Sequence, residues 1–232
     1  MAPTRSAGGT VSAQANSAER FRHWGAVLAA ATSVAATCGL VAASGDVSDA
    51  EAWVFHAIND SPDWLEPFMF VGQLAGVLAV PLIVAAVAAW FRRWRLVVAL
   101  VAFVPLKLVV EKLVVKQLVE RERPATSLCG APDDFDPECV NLRADAPVDG
   151  LAFVSGHAII TWGVATLLWP VLPARWRWIP VLVATLNAIA RVYLGAHNPL
   201  DVVGGAAVGI AIGALLVLIV DPARRPPDAA PA

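Results

Sequence analysis

The sequence predicts an all-α integral membrane protein, a bundle of six transmembrane helices with both termini in the cytoplasm. Three observations support this prediction: an excess of apolar residues, six apolar stretches of spanning length, and an uneven distribution of basic residues among the loops. Of the 232 residues, 58% are hydrophobic and 16% are charged, against averages of about 45–50% and about 25%. One water-soluble core cannot bury that surplus of apolar side chains.

The composition also excludes other classes of protein. A formal net charge of −2 with no basic block argues against a nucleic-acid-binding protein, which needs a cationic surface. Three cysteines are too few for a disulfide scaffold, and the high content of Leu, Val and Ala argues against disorder across the chain. Membrane lipids are therefore expected partners, and nucleic acid is not.

Six stretches are long enough to cross a hydrocarbon core of about 30 Å, which takes roughly 20 apolar residues as a helix. They lie near residues 24–43, 67–90, 95–119, 152–172, 178–195 and 200–220. The first is longer than the apolar core of a signal peptide, so we expect it to remain as a span. Residues 20–221 are assigned to one membrane domain, and residues 1–19 and 222–232 to disordered cytoplasmic tails.

Four charged residues interrupt the third stretch: Lys107, Glu111, Lys112 and Lys116. Charges at membrane depth are costly unless they pair or face a polar cavity, so this helix is expected to line a polar cavity. The alternative is an ion pair between Lys107 and Glu111, with the other two lysines extended toward the interface. The sequence leaves both interpretations open.

Basic residues predict the orientation in the membrane. Alternate loops and both flanks carry Arg20, Arg22, Arg92, Arg93, Arg95, Arg175, Arg177, Arg224 and Arg225. The other loops are acidic, because segment 44–66 has six acids and no Lys or Arg, and segment 120–150 has eight acids against three arginines. The positive-inside rule places the basic loops in the cytoplasm. We expect a multi-pass protein of the plasma (inner) membrane.

The long outer loop contains Cys129 and Cys139. In an oxidising compartment these two thiols are expected to form a disulfide. Two free thiols are the alternative, and a zinc site is disfavoured because no histidine lies near them in sequence.

Polar groups that lipid would exclude gather at the outer ends of the spans. They are Lys116, Arg121, Arg123, Ser155, Gly156, His157, Arg191, His197 and Asp201. A phosphoryl group in transfer spreads negative charge over its oxygens, which Lys and Arg side chains and the free amides of a helix start can bind. The alternative is a purely structural role, in which Ser155 is a helix N-cap and Gly156 is the first residue of the helix without a function of its own.

The chain resembles the type 2 phosphatidic acid phosphatases in three motifs, Lys116-x6-Arg123-Pro124, Ser155-Gly156-His157 and Arg191-x5-His197-x3-Asp201. That superfamily includes bacterial undecaprenyl diphosphate phosphatases and, more distantly, soluble vanadium haloperoxidases. Order and spacing match throughout, although Val154 stands where the second motif usually has proline, and Ala190 where the third usually has serine. Neither position supplies a catalytic group.

The resemblance implies a role for each motif residue. His197 is the nucleophile that forms a phosphohistidine, His157 the general acid for the leaving oxygen, and Asp201 the residue that orients His197. From the first turn of its helix Asp201 can reach back and accept a hydrogen bond from His197. The phosphate-binding residues are Lys116, Arg123, Ser155, Gly156 and Arg191. Lys116 and Arg123 would share one helix face, which Pro124 would then end. Arg121, Lys112 and Arg143 are candidates to extend the cationic funnel around these residues but are not assigned to the site.

The implied activity is hydrolysis of a lipid phosphate or diphosphate at the outer leaflet, without a metal or another cofactor. The favoured substrate is a polyprenyl (undecaprenyl or decaprenyl) diphosphate. Phosphatidate, phosphatidylglycerol phosphate or another lipid phosphomonoester is the alternative, because the motifs contact only the phosphate. A non-catalytic lipid-phosphate binder or transporter is an alternative of another class, against which the two histidines and Asp201 argue. Haloperoxidase chemistry is disfavoured by the membrane spans.

Three glycines, Gly205, Gly209 and Gly213, recur on one face of the sixth stretch. Small residues at this spacing allow helices to approach closely. Packing within the bundle is favoured over dimerisation, and the sequence leaves a homo-oligomer open.

Overall fold

The structure, a computed structural model, describes residues 7–130, 139–144 and 146–224, with side chains from residue 17 onward. The described residues form helices and connecting turns, with one isolated antiparallel bridge between Glu122 and Leu151. The all-α prediction is confirmed.

The described helices are α1 (Ala7–Ala42), α2 (Asp49–Asn59), α3 (Glu66–Leu74), α4 (Ala79–Trp90), α5 (Trp94–Leu108), α6 (Lys116–Leu118), α7 (Pro124–Cys129), α8 (Gly156–Leu168), α9 (Trp178–Tyr193) and α10 (Pro199–Val220). A π-helical segment, Val109–Val115, joins α5 to α6. Short 3₁₀ helices, Asp63–Leu65 and Ala174–Trp176, precede α3 and α9.

Each of the six predicted stretches contains helix. By length and composition, two helices in the described part of the chain could cross a membrane, Ser17–Ala42 within α1 and Pro199–Val220. A third is added if the pair Asp63–Leu74 and Ala79–Trp90, bent by 59°, forms one span.

The first helix begins before the predicted domain boundary. Residues 7–19, predicted as part of a disordered tail, continue α1, which starts at Ala7. Extending an existing helix needs no new nucleus, and this segment contains no proline. Residues 1–6 and 225–232 of the predicted tails lie outside the described residues.

A disulfide ties the end of α7 to the segment that follows residue 138. Cys129 and Cys139 are bonded, with their Cα atoms 5.9 Å apart. The residues between 130 and 139 lie outside the described ranges.

The glycine face of α10 packs directly on α8. An added Cβ would lie 2.3 Å from the Ile159 carbonyl oxygen at Gly209, and 2.6 Å from the Ser155 carbonyl oxygen at Gly205. These contacts favour packing within the bundle. They also place the start of α10 against the start of α8, where the motif residues lie.

Substitution of Gly209 by leucine is expected to prevent normal folding, because the new side chain meets backbone and not a flexible side-chain end. The measurement is the yield of monodisperse protein in detergent and its thermal unfolding temperature. Gly25→Leu is the matched control, because an added Cβ at Gly25 meets nothing within 4 Å. A stable Gly209→Leu protein that differs only in oligomer size would contradict this expectation.

Candidate active site

Hydrogen bonds between distant segments bring the three motifs together where α9 ends and α8 and α10 begin. Arg123 Nη1 donates to the Ala196 carbonyl at 2.7 Å, which joins the first motif to the third. The amide of Ser155 donates to the carbonyl of Asp201 at 3.0 Å, which joins the second motif to the third. The convergence predicted from the sequence is present in the structure.

A tight turn after α9 holds His197 next to Arg191. The amides of Ala196 and His197 donate to the Arg191 carbonyl at 3.1 Å and 3.3 Å. The turn passes through Gly195, whose φ is +75°, and an added Cβ there would lie 2.9 Å from the Asn141 carbonyl oxygen. Both the conformation and the close approach require glycine.

His197 and Asp201 do not form the predicted hydrogen bond. The distance from His197 Nδ1 to Asp201 Oδ2 is 3.8 Å, which is too long, and Nδ1 has no partner among the described residues. Asp201 Oδ2 instead accepts from the Asn198 amide at 2.8 Å. The first amides of a helix lack intrahelical acceptors, so the carboxylate that reaches back binds backbone first.

Ser155 precedes α8 with extended backbone, at φ −66° and ψ 111°, and its side chain makes no capping bond. Its Oγ is buried and has no hydrogen-bond partner within the described ranges. The hydrogen bond from a helix amide to Ser155 Oγ, which a plain N-cap would make, is therefore absent among the described residues. A free hydroxyl beside the first amides of a helix suits a bound anion.

Gly156 lies where α8 begins against the π-helical segment. An added Cβ would lie 2.7 Å from Glu111 Oε1. Glu111 is buried and forms a close ion pair with Lys107, while its Oε1 lies 3.7 Å from Lys116 Nζ. The sequence left two interpretations of these charges open, an ion pair and a helix that lines a polar site. Both hold, because Lys107 and Glu111 form an ion pair and Glu111 also lies close to Lys116.

The chain leaves the helix between Lys116 and Arg123. Val119 is extended, at φ −130° and ψ 98°, and Arg123 is extended, at φ −74° and ψ 162°. The single helix face predicted for the two cations is therefore not formed. Proline disfavours helical backbone in the residue before it, so Pro124 begins α7 and does not end α6.

The three predicted phosphate-binding cations have more N–H donors than the hydrogen bonds they make within the described residues. Lys116 Nζ donates to the Leu151 carbonyl at 3.1 Å, and Arg191 Nη1 donates to Gln73 Oε1 on α3. The Nε atoms of Arg123 and Arg191 are buried and lack a partner in the part of the chain that the structure describes. These nitrogens are available to an anion.

His157 is the second residue of α8 and packs against the break between α3 and α4. An added Cβ at Gly76 would lie 2.6 Å from its Cβ. The positive charge of Arg191 acts on its imidazole, which places His157 at the same site as Arg191. Within the described residues, no group of three or more His, Cys, Asp or Glu side chains could hold a metal ion.

Burial keeps the pKa of His197 well below its ordinary value of 6.5, and the charges of Arg191, Arg123 and Lys116 lower it further. The backbone of Ala152 raises this pKa, but by less than burial and the three charges lower it. At neutral pH the imidazole is therefore uncharged, and a ring nitrogen has the lone pair that attack on phosphorus needs.

Reasoning from the sequence missed Glu51 and Gln73, and it named Arg121 without assigning it to the site. Arg121 is fully buried between Glu51 Oε2, at 2.6 Å, and Asp201 Oδ1, at 3.3 Å. Gln73 holds Arg191. Glu51 and Gln73 lie on α2 and α3, far in sequence from their partners, so no local spacing could connect them. The excess of acids in segment 44–66 was the one available signal.

Relatives of the chain act on polyprenyl lipids according to their names. The decaprenylphosphoryl-5-phosphoribose phosphatase of Mycobacterium tuberculosis is 32% identical over 106 residues, which are 45% of this chain and 50% of that protein. The undecaprenyl-diphosphatase of Sulfolobus acidocaldarius is 41% identical over 80 residues, 34% of this chain and 37% of that protein. The chain thus matches half or less of the length of these curated relatives.

Solved structures share the fold. Aquifex aeolicus LpxE has a TM-score of 0.60 at 26% identity, covering 71% of this chain and 92% of that one. A transmembrane PAP2 type phosphatidylglycerolphosphate phosphatase from Bacillus subtilis has a TM-score of 0.60 at 20% identity, covering 84% and 98%. The family model of the PAP2 superfamily matches residues 93–225, a range that includes all three motifs. The chain therefore belongs to the PAP2 superfamily.

Proposed function

We propose that this protein is a membrane phosphatase that hydrolyses a lipid phosphate or diphosphate without a metal, and that its preferred substrate is a polyprenyl diphosphate. The observation that carries the proposal is a buried His197 beside Arg123 and Arg191, each of which has a buried Nε without a partner among the described residues. The names of the two relatives, which refer to decaprenylphosphoryl and undecaprenyl compounds, support the choice of lipid.

In the proposed reaction, a ring nitrogen of His197 attacks the terminal phosphorus while the bond to the leaving oxygen breaks. His157 protonates that oxygen, and the product leaves as a lipid alcohol from a monoester or as a lipid monophosphate from a diphosphate. Water then attacks the phosphohistidine, His157 takes its proton, and inorganic phosphate is released. The cations neutralise the charge on the equatorial oxygens throughout.

Exposed apolar side chains beside the cations support a lipid substrate over a soluble phosphate ester. Leu113 is 69% exposed and Leu118 is 74% exposed, and they flank Lys116 on either side in sequence. A phosphate bound by Lys116 would therefore have apolar surface next to it, against which the hydrocarbon chain of a membrane lipid can pack.

We further propose that all six helical stretches span the plasma membrane as one domain over residues 20–221. Both termini would face the cytoplasm, and the active site the extracytoplasmic side. Two observations support this topology. Each of the six predicted stretches contains helix. Basic residues from two predicted cytoplasmic segments meet the end of α10, since Arg20 pairs with Asp221 at 2.6 Å and Arg95 donates to the Val220 carbonyl at 2.8 Å.

Phosphate release by detergent-purified protein, with chelator present, tests the function. Polyprenyl diphosphate is expected to be hydrolysed faster than phosphatidate or phosphatidylglycerol phosphate. His197→Ala should reduce release by at least about 10³-fold, as removal of a covalent nucleophile does, and His157→Ala should also be impaired. His56→Ala is the matched control, because His56 is on α2 and pairs with Asp60 at 3.4 Å outside the site.

Full activity in His197→Ala would contradict the proposed mechanism. No release from any lipid by folded wild-type protein would contradict catalysis and favour a lipid-phosphate binder. A preference for phosphatidate or phosphatidylglycerol phosphate would overturn the substrate assignment alone.

The pH dependence of kcat/KM should reflect the lowered pKa of His197. Protonation abolishes the nucleophile, so activity is lost as pH falls through the pKa of the folded enzyme. That pKa lies below 6.5, so kcat/KM should still be on its plateau at pH 6.5 and decline only in more acidic solution. The phosphate groups of a diphosphate and a monoester titrate differently. A decline of kcat/KM at acidic pH that is the same for both substrates therefore reports a group of the enzyme. A common decline centred at or above pH 6.5 would contradict the uncharged, buried imidazole.

A further inference from the structure

Arg121 is a buried arginine whose terminal nitrogens are fully occupied by protein oxygens. Nη1 donates to Glu51 Oε1 at 3.0 Å and to Asp201 Oδ1 at 3.3 Å. Nη2 donates to Glu51 Oε2 at 2.6 Å and to the Asp46 carbonyl at 3.1 Å. The side chain is 0% exposed. Its Nε is buried without a partner among the described residues, as are those of Arg123 and Arg191. The terminal nitrogens of Arg121 bind two carboxylates, however, whereas Arg123 and Arg191 bind a carbonyl and an amide oxygen, so only the charge of Arg121 is compensated by these contacts.

The backbone of Arg121 connects the same segments. Its carbonyl accepts from the Ala152 amide at 2.8 Å, and the next residue, Glu122, forms the isolated bridge with Leu151. The segment that leads into Ser155 is therefore attached to Arg121 on one side and to Asp201 on the other.

Glu51 attaches α2 to the start of α10. Its Oε1 accepts from the Leu200 amide at 2.9 Å, in the first turn of that helix. The adjacent Asp201 has one carboxylate oxygen bound by the Asn198 amide and the other facing Arg121. Both oxygens are therefore committed to protein donors, and this arrangement determines where the carboxylate lies relative to His197.

We propose that Arg121 is a positioning residue for phosphoryl transfer, which acts on His197 through Asp201 and does not bind the phosphate. The inference rests on the proposed roles of His197 and Asp201. The guanidinium lies between the carboxylates of Glu51 and Asp201 and binds both. Without it, Glu51 and Asp201 face each other with like charge, so one of them takes up a proton or moves away. His197 then loses the negative charge that lies 3.8 Å from its Nδ1 and that stabilises the positive charge formed on the ring during the reaction.

The test compares kcat with phosphate affinity in the full-length protein. Inorganic phosphate, used as a competitive inhibitor, reports binding by the cations without any turnover. Arg121→Met should lower kcat by about 10- to 100-fold, the range typical for outer partners of ligating groups, with an unchanged inhibition constant for phosphate. Arg121→Lys should recover part of kcat, because it restores the charge but not the two-pronged contact.

Two further arginine variants serve as controls. Arg143 is also buried and also binds a carboxylate, Asp63 at 2.8 Å, together with the carbonyls of Asn59 and Tyr193. Arg143→Met should therefore reduce stability with little change in kcat. Arg123→Met should instead weaken inhibition by phosphate, because the hydrogen bond of Arg123 is to a backbone carbonyl, which leaves its charge available to the anion.

A double-variant comparison shows whether Arg121 acts through Asp201. Arg121→Met should cause little further loss of kcat in an Asp201→Asn background, since the group on which it acts is already neutral. Losses that multiply would overturn the proposal. A phosphate inhibition constant that rises in Arg121→Met as it does in Arg123→Met would overturn it too, by making Arg121 a phosphate ligand.

If Arg121→Met does not fold, Glu51→Gln provides the same test with the shape preserved. It should lower kcat at an unchanged phosphate inhibition constant, and an unchanged kcat would overturn the proposal. His197→Ala, measured in parallel, separates the two levels of inference. Activity in His197→Ala would contradict the proposed mechanism itself. An inactive His197→Ala together with a fully active Arg121→Met would contradict only the proposed role of Arg121.

Discussion

The hydrogen bonds and ion pair of Asp201, at the start of α10, are the interactions on which the rest of the site depends. Its carboxylate accepts from the Asn198 amide and faces Arg121, and its carbonyl accepts from the Ser155 amide. Because Asp201 is 0% exposed, its acceptors need donors from the protein. Those donors come from the segments that carry the three motifs. One buried residue therefore determines how a helix start, a turn and an extended segment meet.

Charge compensation separates the cations of the site into two groups. Lys107 and Arg121 are balanced by carboxylates of the protein, Glu111 in the first case. Arg123 and Arg191 instead bind uncharged acceptors, a backbone carbonyl and a side-chain amide. Buried charge is costly unless it is paired, so the second group gains most from an anionic ligand. This division is consistent with the proposal that one end of an apolar bundle is stable and also binds a phosphate.

The motifs, the helical stretches and their convergence could be predicted because each depends on local spacing or on the length of apolar runs. The path of the chain between Lys116 and Arg123 could not be predicted by assuming a continuous helix, because the pairing of Glu122 with Leu151 and the proline at 124 favour extended backbone there. The contact of Glu51 with Arg121 joins segments 70 residues apart. The gap between His197 and Asp201 depends on competition from a helix amide, which spacing alone does not reveal.

Trapping the covalent intermediate tests the proposed chemistry most directly. Wild-type protein would be mixed with polyprenyl diphosphate, quenched in alkali, in which phosphohistidine survives, and digested for mass spectrometry. A phosphoryl group on the peptide that contains His197, and its absence after His197→Ala, is the result that the proposed mechanism predicts. Phosphate release without a phosphorylated His197, or with the phosphoryl group on His157, would contradict it.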